Sequence, residues 1–302
     1  MKKGRIAGLA VIAVIAGGGY FVAQLYADRV ADRRVGKILT KLPEGTAVKY
    51  RSAGYSIWNG EIRLRDVKVD SRIAGEARIK GVTVADFDKF HRVPHYVKVK
   101  VRGFEMKREK ANAATRRWMD KLRYKSITVD VEYAYRYRPD LRELVIERAR
   151  ITGPQVGTLV ISGRLSNVRS LDVKNLGDLI AIGMQSVVRG VSIAYTDDSL
   201  TDRLIEAYAA ERGGDAKTYR AALVRDLDAE MRRTKSANLR RQIQHVRAFI
   251  ERPGKIVVTI KPRSTVPVFL IAAMPAPHMI QRTLGINITT LPGVRDKTKK
   301  KN

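Results

Sequence analysis

The sequence predicts an α+β protein: an N-terminal transmembrane helix, then an antiparallel β-rich domain with a duplicated hairpin unit, then a C-terminal helical segment. Three observations support this. Residues 6–27 carry no charge, residues 44–197 alternate apolar and polar side chains over long stretches, and helical patterns fill much of residues 198–290. Period-two alternation is typical of half-buried strands, and apolar spacing of three to four residues is typical of amphipathic helices.

The uncharged run at residues 6–27 follows a short basic segment at residues 1–5, the predicted cytoplasmic tail. At about 1.5 Å per residue, a helix over this run is about 33 Å long, enough to cross a bilayer core. A cleaved signal with a cut near residues 16–18 is the alternative, because both kinds of segment begin with basic residues. We therefore expect a single-pass inner-membrane protein whose body lies in the periplasm.

The rest of the chain divides by pattern. Residues 28–43 have helical spacing and end at a proline, which predicts a short neck. The β-rich domain at residues 44–197 contains a very regular strand, in which every second position from 127 to 137 is apolar or aromatic. Residues 198–290 form the predicted helical and capping region, which includes one strand at residues 256–260. Residues 291–302 form a basic tail that we expect to be disordered.

Two segments of the β-rich domain, about residues 55–84 and 137–166, match when the chain is shifted by 82 residues. Gly75 then falls on Gly157, and the apolar positions keep a common phase. The phase of the apolar positions changes near Asp66, which is typical of a β-bulge. We expect a duplicated hairpin unit, and two unrelated amphipathic hairpins are the alternative.

The chain is strongly basic, with 59 Lys and Arg residues against 30 Asp and Glu residues and a formal net charge of +29. Such a charge attracts anionic lipid headgroups and nucleic acid. The cations are spread along strands and helices, and no RNP, zinc-finger or homeodomain pattern is present, so nucleic acid is the less favoured partner. The absence of cysteine excludes disulfides and thiol chemistry.

No catalytic motif is visible, since GxSxG, P-loop, GxGxxG and HExxH patterns are all missing. His91 and His95 have helical spacing, but Pro94 lies between them and no third ligand completes the set, so no metal site is predicted. Asp197 and Asp198 directly precede a predicted helix, where carboxylates stabilise the helix dipole. We therefore predict a non-enzymatic protein without a cofactor.

A sheet with one apolar face needs a cover for that face, and a curved, partly open sheet would offer a groove to acyl chains. The alternating strands supply candidate residues for such a groove. The predicted lipid-facing residues are Val97, Val99, Val101, Tyr133 and Tyr135. The predicted headgroup-binding residues are Lys98, Lys100 and Arg102.

The order of anchor, charged strand at residues 60–67 and glycine-containing strand at residues 157–163 resembles the single-anchored AsmA-type proteins and other β-groove proteins of bacterial envelopes. The resemblance covers about residues 1–170 and implies phospholipid transport or envelope maintenance. We therefore predict a protein that binds or passes lipid or supports envelope assembly, with anionic membrane lipids or an envelope complex as partners. Two alternatives stay open: a structural accessory subunit that docks onto a larger membrane complex, and a cytoplasm-facing nucleic-acid-binding protein.

Overall fold

The structure, a computed structural model, describes residues 46–56, 60–71, 75–88, 90–91, 93–171, 182, 185–262, 265–267 and 283–291. The strands within these ranges are β1 (Thr46–Lys49), β2 (Ser52–Tyr55), β3 (Ile62–Ser71), β4 (Gly75–Phe87), β5 (Tyr96–Lys107), β6 (Ser126–Arg138), β7 (Glu143–Gly153), β8 (Gly157–Ser166), β9 (Val187–Thr196), β10 (Lys255–Ile260), β11 (Val266–Pro267) and β12 (Ile286–Leu291). The helices are α1 (Ala113–Lys121), α2 (Leu200–Glu211), α3 (Ala216–Arg233) and α4 (Ala237–Glu251).

All strands belong to one antiparallel sheet with the order β1-β3-β4-β5-β6-β7-β8-β9-β10-β12. Two short strands lie off this path, because β2 pairs with β3 and β11 pairs with β9. From β3 to β10, strands that follow each other in the chain are also neighbours in the sheet. Helices α2 to α4 lie in the connection between β9 and β10, so the chain leaves the sheet for three helices and then returns to it.

The hydrophobic core covers one face of this sheet. Its centre lies on β4, β5 and β6, where the inward side chains Val84, Val99 and Tyr135 are at most 2% exposed. Helix α1 covers this face with Met119, which is 1% exposed, and α2 contributes Ala207 to the same cluster. Asn112 begins α1, because its side chain accepts a hydrogen bond from the backbone N–H of Thr115.

Left-handed backbone occurs within β3 and within β5. Asp66 in β3 has a left-handed backbone with φ of 53°, while the pairing of β3 with β4 keeps its register on both sides of it. The predicted bulge at Asp66 is therefore a change of backbone conformation without an inserted residue. In β5, Gly103 has φ of 60°, and its N–H donates to Asp130 Oδ1 at 2.7 Å.

Both segments of the predicted repeat form antiparallel hairpins, β3–β4 and β7–β8. Ser71 pairs with Gly75 beside the first turn, and Gly153 pairs with Gly157 beside the second, so the pairing near the turns is related by the same 82 residues. The glycines that begin β4 and β8 have positive φ of 102° and 96°. These hairpins have the paired arrangement that a duplication requires, and the duplication itself stays a prediction.

The predicted fold class is wrong in its account of the second half of the chain. The sequence predicts a helical and capping region at residues 198–290 with one strand at residues 256–260. Strand β10 confirms that strand, yet β11 and β12 also lie in this region. These strands extend the sheet beyond β9, because β10 pairs with β9 and β12 pairs with β10. The described chain is therefore a mostly antiparallel β-sheet with four helices.

The prediction of a transmembrane helix is also corrected. Among the described residues, no helix combines the length and the apolar composition that a bilayer span requires. The structure therefore gives no support to the predicted single-pass inner-membrane location with a periplasmic body. The uncharged run at residues 6–27, the tail at 1–5, the neck at 28–43 and the basic tail after Leu291 lie outside the described residues.

Candidate polyanion-binding surface

Strand β5 separates the two sets of site residues that the sequence predicted. Val97, Val99 and Val101 point into the core, whereas Lys98, Lys100 and Arg102 lie on the opposite, solvent-facing side. This separation follows from the period of a strand, in which successive side chains point to opposite faces. A single ligand on one face of the sheet therefore cannot contact both sets.

The residues that were predicted to face lipid form part of the core. Val97, Val99, Val101 and Tyr135 are all buried, and Tyr133 is half-buried against the same cluster. The hydroxyl of Tyr135 donates to the carbonyl oxygen of Pro94 at 2.7 Å, which satisfies its polar tip inside the protein. The prediction of lipid binding is therefore corrected, since helices and neighbouring strands already cover this face.

The other face of β3, β4 and β5 is polar and open. Directly opposite residues of antiparallel strands share a face, so the register places Arg63 beside Thr83 and Thr83 beside Lys100. Two rows of long cationic side chains thus flank a central row of short side chains on β4. We call this surface the basic trough, and it consists of Arg63, Arg65, Gly81, Thr83, Ala85, Lys98, Lys100 and Arg102.

The dimensions of the basic trough follow from the strand spacing. Neighbouring strands lie about 4.8 Å apart, so the cations on β3 and those on β5 are about 10 Å apart at the backbone. Along one strand, successive residues on a face are about 7 Å apart. The trough therefore presents regularly spaced positive charge on both sides of a low floor.

The charge of the basic trough is compensated only in part. Glu132 on β6 lies directly opposite Lys100 in the strand register. Arg63 contacts Glu61 at 2.6 Å. In the described part of the chain, Arg65, Lys98, Lys100 and Arg102 form no ion pair, and all but the half-buried Lys100 are exposed.

The adjoining strands on the same face are balanced differently. On β6, β7 and β8, arginine side chains meet carboxylates of neighbouring strands. These pairs are Arg136–Glu147 at 3.3 Å, Arg148–Glu132 at 3.7 Å and Arg164–Glu143 at 3.2 Å, together with Arg138–Glu143. These four arginines therefore lie beside carboxylates, whereas Arg65, Lys98 and Arg102 on β3 and β5 form no ion pair within the described ranges.

A cleft of about 400 Å³ between α1 and α2 is the main competing candidate site. Charged side chains at its rim pair with one another, as Lys121 does with Glu211 at 2.8 Å and Arg123 with Glu206 at 3.4 Å. Arg203 at its base donates to the carbonyl oxygen of Leu122 at 2.9 Å. These contacts join the two helices, so the polar groups of the cleft serve the fold.

The connection between β4 and β5 contains a group of metal-ligand types that sequence reasoning missed. Asp88, His91 and His95 each offer a ligand atom, and these atoms lie within 4.8 Å of one another. The expectation that no carboxylate accompanies the two histidines is therefore wrong. The spacing of three and then four residues is visible in the sequence, but only the turn after Phe87 brings Asp88 back towards the histidines.

Asp197 and Asp198 have structural roles at the start of α2. Asp197 Oδ1 accepts hydrogen bonds from the backbone N–H of Thr201 at 2.9 Å and from the hydroxyl of Tyr195 at 2.8 Å. Asp198 Oδ2 accepts from the backbone N–H of Gln155 at 2.7 Å. Burial, together with the neighbouring carboxylate of Asp197, raises the pKa of Tyr195 far above its usual range. These contacts hold the end of β9, the start of α2 and the β7–β8 turn together.

Comparison with known proteins adds one match. A protein-family model with the description "Uncharacterized protein" matches residues 150–290, less than half of the chain. This range includes β8 to β11, all but the last residue of β12, and the helices α2 to α4, but it excludes the basic trough and the Asp88 turn. No curated protein matches the chain. These findings give no support to the resemblance to AsmA-type proteins.

Proposed function

We propose that the chain binds nucleic acid through the phosphate backbone, with the basic trough as its contact surface. One observation carries this proposal: Arg65 faces Lys98, Lys100 and Arg102 across a low floor, and none of these four cations has an ion-pair partner among the described residues. Neutralisation of phosphates by Lys and Arg releases counterions and supplies most of non-specific nucleic-acid affinity.

The composition of the trough favours nucleic acid over a folded protein partner. Stable protein interfaces have a buried centre that is rich in apolar and aromatic side chains and poor in charge. The centre of the trough consists of Gly81, Thr83 and Ala85 between charged rows, which offers no such anchor. Phosphate contacts need no apolar centre, and arginine suits them because its planar fork binds two oxygens at once. The accessory-subunit alternative is therefore the weaker candidate.

The trough also lacks the features of base recognition. Single-strand binders that hold bases place aromatic side chains in the groove, where the bases stack. No trough residue is aromatic, and the nearby Tyr96 on β5 lies under the guanidinium of Arg136, 5.4 Å from the ring centre. We therefore expect binding that depends on phosphates and not on base sequence.

From the sequence alone, nucleic acid is the less favoured partner because the cations are dispersed along the chain. Arg65 and Arg102 are 37 positions apart, yet each is paired with Gly81 in the sheet. Strand pairing thus places cations close together that lie far apart in the sequence, which supports the trough as a contact surface. The prediction of a non-enzymatic protein is retained here, since the proposal needs only binding.

The test is a fluorescence-anisotropy titration of the full chain with a labelled 20-nucleotide single strand over a series of salt concentrations. Four free cations predict a slope of log K against log salt of about −3 for a single strand. The triple variant Lys98→Gln, Lys100→Gln, Arg102→Gln should lower the size of this slope by about 2. Two single strands of unrelated base sequence should bind equally.

The matched control is the triple variant Arg225→Gln, Arg232→Gln, Arg233→Gln on α3, in which all three substituted arginines are exposed. It removes the same net charge at a distance from β5, so the slope should stay close to that of the wild type. Equal losses in the two variants would refute the trough as the site, because total charge alone would then explain the binding. Binding of polyglutamate without binding of either strand would also refute the proposal in favour of an acidic protein partner.

A further inference from the structure

We propose that Asp88, His91 and His95 form a binding site for a divalent transition-metal ion of the Zn²⁺ class. This site is separate from the basic trough and does not depend on the proposed function. The three residues belong to one turn, between the last residue of β4 and the first residue of β5. Two imidazoles and a carboxylate are a donor set that Zn²⁺ accepts, with the fourth position left for solvent.

The ligand atoms are already close together. Asp88 Oδ2 lies 2.6 Å from His91 Nδ1 and 3.9 Å from His95 Nδ1. The two imidazole rings are stacked, with ring centres 3.7 Å apart and an angle of 22° between their planes. Both Nδ1 atoms thus approach the same carboxylate oxygen. A cation would replace the proton between Asp88 and His91, and the two rings would rotate out of their stack so that both Nδ1 atoms point to it.

The carboxylate is oriented by the backbone. Asp88 is 3% exposed, and its Oδ1 accepts from the N–H of Phe90 at 2.9 Å while Oδ2 accepts from the N–H of His95 at 2.9 Å. Hydrogen bonds of this kind around a metal ligand fix its direction and strengthen metal binding. The Asp88 carboxylate is therefore nearly buried and held in a fixed direction, as a metal ligand requires.

The second histidine is held from the core side. The ring of His95 makes an edge contact with Tyr137, with ring centres 5.6 Å apart, and the backbone carbonyl of His95 accepts from the N–H of Tyr137. Tyr135 binds the carbonyl oxygen of Pro94 through its hydroxyl. His91 is the solvent-facing partner, since its side chain is 54% exposed. The group therefore joins two ligands that the fold supports to one that an ion can reach from solvent.

The site lies on the other side of the sheet from the trough. Tyr135 and Tyr137, which support the turn, belong to the buried set of β6, whereas the cations of the trough project from the opposite face. An ion in the turn would therefore brace the β4–β5 connection against β6. Failure of metal binding leaves nucleic-acid binding unaffected, and the reverse also holds.

The experiment uses the untagged full chain after treatment with EDTA and gel filtration. Isothermal titration with ZnCl₂ at pH 7.5 should give one bound ion per chain. Titration with CoCl₂ should produce visible d–d absorption, which reports direct coordination. The variant His91→Gln should weaken Zn²⁺ binding at least about 10-fold, since loss of a supporting residue alone already costs that much. Binding should also weaken as the pH falls, because protons compete with the metal ion for the ligand atoms.

The control variant His245→Gln, His278→Gln removes the other two histidines of the chain. It should bind Zn²⁺ with the wild-type affinity and stoichiometry. His91→Gln is the decisive variant because its exposed side chain can change without loss of the fold, which thermal unfolding checks. No bound ion in the wild type, or equal affinity in His91→Gln and the wild type, overturns the proposal.

Discussion

Substitution of Gly157 by alanine tests the packing of the β7–β8 turn against the end of β9. Gly157 has φ of 96°, a conformation that residues with a Cβ atom rarely adopt. A Cβ atom added there would lie 2.2 Å from the carbonyl oxygen of Thr196 and 3.2 Å from the backbone N of Asp198. Both contacts are with backbone, so no side chain can rotate away to make room.

The expected loss of stability has two parts. Left-handed backbone costs a residue with a Cβ atom about 1–2 kcal/mol, and relief of steric overlap in a packed region costs about 1–3 kcal/mol. The end of β9 cannot shift freely, because the next residue, Asp197, binds both Thr201 and Tyr195. We therefore expect Gly157→Ala to lower the free energy of unfolding by about 3 kcal/mol, or Tm by about 6–12 °C.

Urea denaturation followed by circular dichroism, together with calorimetry, measures the effect. Gly213→Ala separates the two parts, since Gly213 has φ of 69° but nothing within 4 Å of an added Cβ atom. It should cost only the backbone part, about 1–2 kcal/mol. Gly54→Ala, with neither feature, should be close to neutral. A loss below about 0.5 kcal/mol for Gly157→Ala, or an equal loss for Gly213→Ala, would refute this reasoning.

Three further predictions concern the core and two titrating groups. Val99→Ala should lower the free energy of unfolding by about 2–3 kcal/mol in urea, because Val99 is 1% exposed and its lost methyl groups leave a cavity; a residue that lines an open groove would show less than half of this. Burial opposes ionisation of Asp88, but hydrogen bonds from the N–H groups of His95 and Phe90 and from His91 outweigh it and lower the pKa of Asp88. The ionised Asp88 carboxylate therefore stabilises the fold above the unfolded-state pKa near 4, and this stabilisation is lost as the pH falls through the lower folded-state pKa. In a curve of unfolding free energy against pH, recorded in EDTA, Asp88→Asn should flatten the decline at acid pH. An unchanged decline would contradict this prediction. Burial raises the pKa of Tyr195, so the neutral hydroxyl contributes fully to stability below about pH 10 and this contribution is lost as the pH rises further. Tyr195→Phe should remove this loss of stability at alkaline pH and cost about 1–2 kcal/mol at pH 7. A decline in stability at alkaline pH identical to that of the wild type would contradict this prediction.

The sequence determined the local features of the sheet. The alternation in residues 96–107 was sufficient to assign Val99 and Lys100 to opposite faces, because side chains in a strand alternate whatever the strand packs against. The match of Gly75 with Gly157 likewise located two hairpin turns, since positive φ is a local demand on the backbone. The helix starts after Asn112 and Asp215 carry the residue types typical of caps.

Only the tertiary structure decided which surfaces are free. The sequence predicts an apolar face that is open to lipid, whereas the cover that Met119 and other core residues provide depends on contacts between distant segments. The cations of β3 and β5 form one surface because β4 lies between them, and Asp88 meets His95 because the chain turns there. Periodicity reports the two sides of each strand, whereas burial, charge concentration and convergence of ligands depend on which strands and helices become neighbours.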